Sequence, residues 1–359
     1  MAAIGIAPAL VQWQRVHGRH DLPWQRSADP YRVWLSEVML QQTQVATVVP
    51  YFNAFVEAFP TVADLAAAPI DRVMSLWSGL GYYSRARHLH AAARSVMTRH
   101  GGIFPSDPAI LAELAGVGPS TAAAIAVFGF GARAAILDGN VKRVFCRLFG
   151  IPGHPGETAV VRRLWAHARA ELPPQGAPAT VLRAYTQGLM DLGATLCTRL
   201  RPDCPRCPLQ GTCVAWREQA MTRYPAARPR APVPIREVAM LLLFSGPSVL
   251  IERRAPTGIW GGLWSLPECA TGQEPAAASV LSAAGVTLPT ERITPYARFE
   301  HAFTHFKMKA SVWQADLDDV QAATILRQTA ETRWLALPDV ASAPLPRPVK
   351  SLLLAIDAS

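Results

Sequence analysis

Two carboxylates and four thiols are the side chains of this sequence best placed to do chemistry. Glu37 lies in Trp34-Leu35-Ser36-Glu37-Val38-Met39-Leu40-Gln41-Gln42, on the same broad helix face as Trp34 and Gln41. A carboxyl among apolar neighbours has a raised pKa and can donate a proton near neutral pH. A helix glutamate standing alone is more often partly solvated. Asp138 lies in Leu137-Asp138-Gly139-Asn140-Val141, where its plainest role, like that of Asn140, is to cap the helix that follows. The thiols read Cys197-x6-Cys204-x2-Cys207-x5-Cys213, four of the six cysteines within seventeen residues. One tight cluster points to a metal in a reducing compartment, where scattered pairs would point to secreted disulfides. Four thiolates suit zinc or an iron–sulfur cluster. Zinc ribbons usually present two C-x2-C knuckles, and here there is one.

The elements that must position these groups can be read around Gly116-Val117-Gly118-Pro119. An apolar run over 110–115 leads in, and a small-residue run over 121–127 leads out. Two short helices joined by a Gly-x-Gly turn give this pattern. Gly116 and Gly118 can take positive φ and let a ligand approach the backbone. Pro119 suits the first position of the second helix. The free N–H groups there form an anion site, the logic of a hairpin that grips a DNA phosphate. The bland alternative is an ordinary helix–helix turn. Asp138 follows Gly118 by twenty residues.

At 359 residues the chain allows two or three domains, and half of its residues are hydrophobic, enough for real cores. The net charge of +9, carried mostly by arginine, points to a polyanionic partner. No apolar run approaches the ~20 residues of a membrane span. The first ten residues lack a basic n-region, so no signal peptide is read, and a cytoplasmic, nucleoid-associated protein of bacterial type is expected.

Along the chain, Leu22-Pro23-Trp24 is expected to end a first helix, and Asp29-Pro30 to open a second running over 31–51. Helices are expected over 54–100 with breaks at Pro60, Pro69 and 77–83, and again over 141–149, 159–171 and 179–192. Gly79-Leu80-Gly81 and Gly129-Phe130-Gly131 look like pieces of a dinucleotide loop, but neither follows a strand. A Pro/Arg-rich linker spans 226–236. Beyond it strands appear, over 236–244 and 248–253 around Ser245-Gly246-Pro247, then in two pieces within 297–314, with a further short strand over 331–335. Short helices are expected over 274–284 and 348–356.

Together the Gln-rich helix of Glu37, the hairpin followed by Asp138, the four-cysteine spacing and a Trp-rich C-terminal module resemble the adenine DNA glycosylases, the MutY family, within the helix-hairpin-helix DNA glycosylase superfamily. The resemblance covers nearly the whole chain. It implies an all-α catalytic region over 1–225, with a six-helix part at about 28–140, a helix-hairpin-helix at 108–128, and an iron–sulfur part from 1–27 and 141–225. A C-terminal α/β Nudix-like domain for lesion recognition would occupy 237–359. The activity implied is excision of adenine mispaired with 8-oxoguanine or guanine in double-stranded DNA, the first step of base excision repair, by a monomer with no membrane association.

In that family's chemistry Glu37 protonates the flipped adenine. Asp138 stays ionised, facing the sugar where oxocarbenium charge develops, and can trap it covalently. Asn140 positions Asp138. Gln42 and Tyr82 match positions that wedge into the base stack, and Leu22, Trp24 and Gln187 match the adenine pocket. Gly116, Gly118 and Lys142 fall on the DNA-binding surface. Cys197, Cys204, Cys207 and Cys213 would hold a [4Fe–4S] cluster. At position 120, where lyase-competent relatives carry lysine, this chain has Ser120, which argues for a monofunctional glycosylase. Phe303-Thr304-His305 stands where the family often has Phe-Ser-His, and would read the lesion. The segment 274–284 lacks the Glu-rich metal pattern of Nudix hydrolases, so the module is expected to bind without hydrolysing. The runner-up is an endonuclease III-like pyrimidine or thymine glycosylase/lyase. A non-catalytic DNA-binding or redox module on the same scaffold is the alternative of another class, and the carboxylate pair speaks against it.

Overall fold

The structure is a computed structural model, described here for residues 5–227, 232–269, 286–303, 305–328 and 331–357. Thr304 and the helix expected over 274–284 lie outside the described residues. What is described falls into two compact units. One is drawn from Met1–Ala67 and His88–Pro229, the other from Ala68–Arg87 and Arg230–Ser359.

The first unit is helical. Helix α1 (Ala7–His17) stops at Gly18, not at the expected Leu22-Pro23-Trp24. A Cβ at Gly18 would lie 2.4 Å from the Gln14 carbonyl oxygen, so only glycine makes this exit. Pro23–Gln25 forms a separate single 3-10 turn in which Leu22 N–H donates to Gln25 Oε1 at 3.2 Å. Helix α2 (Pro30–Leu40) opens where Asp29-Pro30 predicts. The Asp29 carboxylate accepts the Tyr31 N–H at 3.0 Å, and proline occupies the first turn.

The helix expected over 31–51 is in fact two. The chain leaves α2 at Gln41, turns through Gln42 at φ 58, and restarts as α3 (Val45–Ala58). No glycine or proline marks that break, which is why periodicity runs straight through it. Helix α4 is Val62–Ala67. In the second unit, α5 is Ile70–Trp77. Helix α6 (Ser84–His100) begins at the end of that unit's inserted segment and runs into the helical one.

The hairpin follows as α7 (Pro108–Leu111) and α8 (Pro119–Phe130). Helix α8 is almost wholly buried along 122–127, and its alanines let it pack closely against α2. Then come α9 (Gly139–Leu148), α10 (Thr158–Ala170) and α11 (Ala179–Asp191), with α1 packed on α11. Helix α11 widens into a π-helical turn, Leu192–Leu196, before the cysteine loop. Leu10, Val141, Phe145, Leu164, Leu189 and Leu192 share the core beneath α9.

The second unit joins the segment Ala68–Arg87 to an α/β module. Strands β1 (Ile235–Ser245) and β2 (Ser248–Arg253) form the expected hairpin, with Gly246 at φ 54 in a two-residue turn. Strand β1 also pairs in parallel with β6 (Lys307–Asp316), which pairs antiparallel with β5 (Thr294–Ala302). Short strands β3 (Trp264–Ser265) and β4 (Glu268–Cys269) and strand β7 (Thr332–Ala336) complete a mixed sheet. Helix α13 (Asp319–Gln328) was not anticipated, whereas α14 (Arg347–Asp357) was; α12 (Val214–Arg217) belongs to the helical unit. Leu241, Leu243, Leu250, Ile293 and Ile325 pack in this module's core.

Candidate active site

A cavity of about 520 Å³ opens in the helical unit, within the usual range for a small-molecule site. Glu37 lines it, together with Leu22, Trp24 and Gln187, three residues expected in a base pocket, and Phe128. Trp24 packs edge-on against Phe52, and Leu22 and Trp24 are both buried, so the apolar wall is fixed. Glu37 sits half-buried in that wall, and no hydrogen bond from a described residue engages its carboxyl. Burial pushes its pKa up to about 8, with a further push from the charge of Asp138.

Asp138 is the N-cap of α9, its Oδ1 accepting the Val141 N–H at 2.7 Å. The capping role and a catalytic one are therefore compatible, because one oxygen is held and the carboxylate is fixed in place. Burial raises the Asp138 pKa, while the N–H groups of Val141 and Asn140 and the charges of Arg143 and Lys142 pull it back; the net direction is upward. Glu37 and Asp138 are thus near enough to couple, and only Glu37 lines the cavity.

The turn that carries Asp138 is held by a residue with no motif in sequence. Arg143 donates to Asn140 Oδ1 at 2.9 Å, to the Gly193 carbonyl at 2.5 Å and to the Cys197 carbonyl at 2.8 Å. One guanidinium therefore joins the turn bearing Asp138 to the π-helical turn and to the first cysteine. Gly193 is obligatory there, since a Cβ would lie 2.6 Å from the Asn140 Cβ. Behind two of the residues that line the cavity, Arg19 and Gln187, Asp191 is fully buried. It accepts from Gln187 Nε2 at 2.8 Å, from Arg19 Nε at 2.7 Å and from the Arg19 N–H at 2.9 Å. Asp191 carries no motif in sequence; only burial reveals it.

The hairpin divides its two glycines. Gly116 has φ 76, and a Cβ there would meet the His88 Cβ at 2.8 Å, so glycine is required. Gly118 has φ −87, an ordinary extended value, which corrects the expectation of a positive φ. A Cβ there would touch nothing within 4 Å, so the fold does not require glycine at this position. Gln41 Nε2 donates to the Gly116 carbonyl at 3.2 Å and ties the hairpin to α2. Ser120 Oγ accepts the Leu137 N–H at 2.9 Å, one residue before Asp138.

The non-glycine residues with positive φ among those described are Gln42, Tyr82, Gln219 and Trp260. Two of the four are the residues expected to wedge into DNA. A bulky side chain in that region is strained, and such strain concentrates at functional positions.

Cys197, Cys204, Cys207 and Cys213 are all free and all line one small apolar cavity of about 30 Å³. Arg147, 4% exposed, spends its guanidinium on the loop: it donates to the carbonyls of Thr198 at 2.6 Å, Arg199 at 3.0 Å and Tyr224 at 2.9 Å, and approaches Cys197 Sγ at 3.4 Å. Among the described residues no group of three or more His, Cys, Asp or Glu closes on one point to hold a metal ion. The thiols surround a space instead. In the other unit, Phe303 stacks on Phe306 with centroids 4.6 Å apart and meets His301 edge-on, while its N–H donates to the Phe306 carbonyl at 2.9 Å. His305 is exposed beside it.

A helix-hairpin-helix, a carboxyl with a raised pKa in a cavity wall and a capped carboxylate coupled to it are parts suited to a base-excision DNA glycosylase. Residues 35–169 match the HhH-GPD superfamily of base excision DNA repair proteins, and residues 238–355 match the NUDIX domain. The adenine DNA glycosylase of Buchnera aphidicola subsp. Baizongia pistaciae is 35% identical over 269 residues, 75% of each chain. That of Buchnera aphidicola subsp. Acyrthosiphon pisum is 31% identical over 344 residues, covering 96% of this chain and 95% of the relative. A solved thermostable thymine-DNA glycosylase is 26% identical with a TM-score of 0.52, covering 59% of this chain and 95% of that one. The chain belongs to the adenine DNA glycosylase family: it is a DNA glycosylase of base excision repair, a hydrolase of N-glycosyl bonds.

Proposed function

We propose that this enzyme flips adenine out of A:8-oxoguanine and A:G pairs and excises it as a monofunctional, monomeric glycosylase. The observation that carries the reading is the Glu37–Asp138 pair: a carboxyl with a pKa near 8 in the cavity wall, coupled to a carboxylate held by backbone N–H groups. Flipping costs a few kcal/mol and is cheapest at a mismatch. Once adenine enters the cavity, Glu37 gives its proton to a ring nitrogen, so the base departs neutral. The glycosidic bond breaks with its electron pair going to adenine, and positive charge develops on the sugar. Asp138 stabilises that charge and can close on the anomeric carbon. Water then replaces it with retained configuration, its second proton returning to a carboxylate. Asn140, fixed by Arg143, orients Asp138. Ser120 offers a hydroxyl already accepting the Leu137 N–H and no amine, so no Schiff base forms and the abasic strand stays intact.

Gln42 and Tyr82 enter the stack, while Gly116, Gly118 and Lys142 meet the phosphate backbone. Leu22, Trp24 and Gln187 enclose adenine. Phe303, Thr304 and His305 read the opposite base. Cys197, Cys204, Cys207 and Cys213 would hold a [4Fe–4S] cluster, a choice supported by their sequence spacing and by four free thiols lining one cavity. Four thiolates leave no open coordination position, so the group would supply structure and docking. The test is single-turnover excision by Glu37→Gln and Asp138→Asn proteins on an A:8-oxoguanine duplex. Both should bind it and lose excision by at least about a hundredfold. Near-normal excision by either variant removes that residue from the mechanism.

A further inference from the structure

The segment Ala68–Arg87 lies far from the C-terminal module in sequence, yet it is stitched into it by side chains. Asp71 takes the Arg253 guanidinium in a bidentate pair at 3.0 and 2.9 Å and accepts the Trp264 indole N–H at 3.1 Å. The Arg253 and Arg333 guanidiniums lie 4.5 and 4.2 Å from the Trp264 ring centroid. Burial alone would raise the Asp71 carboxyl, but these hydrogen bonds and the charges of Arg253 and Arg333 bring it below its ordinary value. Along the same segment, Ser78 Oγ donates to the Leu345 carbonyl at 2.8 Å, Ser75 Oγ to the Ser342 carbonyl, and Arg87 to the Gly261 carbonyl.

The turn between those ties is itself rigid. Trp77 Nε1 donates to the Gly81 carbonyl at 3.0 Å, and Arg85, 7% exposed, donates to the same carbonyl at 3.2 Å. The Arg85 guanidinium lies 5.2 Å from the Trp77 ring centroid and 5.5 Å from that of Tyr82. At the tip, Gly79, Gly81 and Tyr82 have φ 102, 77 and 50, and Tyr82 is 46% exposed. An exposed, strained aromatic is thus presented by a stiff turn whose anchors are residues of β2, β3 and the loops of the C-terminal module.

We infer that Asp71, Arg253 and Trp264 are positioning residues for Tyr82: they make the wedge part of the lesion-reading module, so that the base opposite adenine controls excision partly through Tyr82. This rests on the reading above in which Tyr82 enters the base stack. The inserted segment and the module then act as one tool, with Tyr82, Phe303 and His305 on the same unit. The pair is part-buried and bidentate, and beyond any contribution to folding it fixes the geometry of the segment on the module.

The experiment is a mutant cycle in the full-length protein, read as single-turnover excision from A:8-oxoguanine and from A:G. Asp71→Ala and Arg253→Met should each lower the 8-oxoguanine-to-guanine rate ratio by about fivefold or more, the lower end of ordinary site-to-site coupling. The double variant should lose less than the product of the two single losses, since both break the Asp71–Arg253 pair. In a Tyr82→Ala background, Asp71→Ala should add no further loss. A purely structural role predicts lowered thermal stability with an unchanged ratio, or a loss that multiplies on top of that of Tyr82→Ala; either result overturns the inference. If Asp71→Ala does not fold, Asp71→Asn, which keeps an acceptor for the indole, takes its place in the cycle. If Tyr82→Ala leaves both rates unchanged, the wedge reading itself fails, and this inference with it.

Discussion

At pH 7 a carboxyl with a pKa near 8 carries its proton, and Glu37 is such a group. The excision rate should be level through neutrality and fall above about pH 8 as Glu37 ionises. It should also fall in acid as Asp138, whose pKa is raised, takes up a proton. The same shift has a cost in stability. Between its unfolded value of 4.5 and its folded value of about 8, Glu37 binds more proton in the folded state than in the unfolded one. Stability contributed by this site is therefore present at low pH and is lost as pH rises through that window. Glu37→Gln should accordingly raise Tm over the wild type, by more at about pH 8.5 than at about pH 5, while abolishing excision. Thermal melts at the two pH values check this; an equal Tm difference at both would mean that Glu37 is not a buried acid.

Elements carry the glycine argument. Gly116→Ala should cost about 1–2 kcal/mol for the left-handed backbone alone, and more because the new Cβ meets His88. Gly118→Ala should cost less than about 1 kcal/mol in folding, yet weaken DNA binding, because its Cβ would project into open space on the hairpin. Denaturant melts and binding titrations separate the two effects, and equal binding by Gly118→Ala protein would remove the phosphate from this turn. The hairpin, the helix of Glu37 and the β1–β2 turn were legible because glycine, proline and aspartate announce them in sequence. The break at Gln41–Gln44 was not, since Gln42 holds a positive φ with no local residue that demands it. Arg143 and Asp191 were equally illegible. Each has a near neighbour in the chain, but its other partners lie about fifty residues or more away, Cys197 for Arg143 and Arg19 for Asp191, and those pairings exist only once the chain has folded.

At the scale of the whole molecule, an overall charge of +9 fits a protein whose partner is a polyanion. No described helix is long and apolar enough to cross a membrane. Purified protein should be brown and carry about four irons per chain, the content of a cubane on four thiolates; colourless, active protein with one zinc would contradict that assignment. The central claim is adenine excision without strand cleavage. It is tested most directly by single-turnover assays of the full-length enzyme on duplexes bearing A:8-oxoguanine, A:G, T:G or an oxidised pyrimidine, each analysed with and without alkali. Loss of adenine alone, fastest opposite 8-oxoguanine, with strands that break only after alkali, is the predicted result. Excision of thymine or an oxidised pyrimidine, or robust cleavage without alkali, would contradict it.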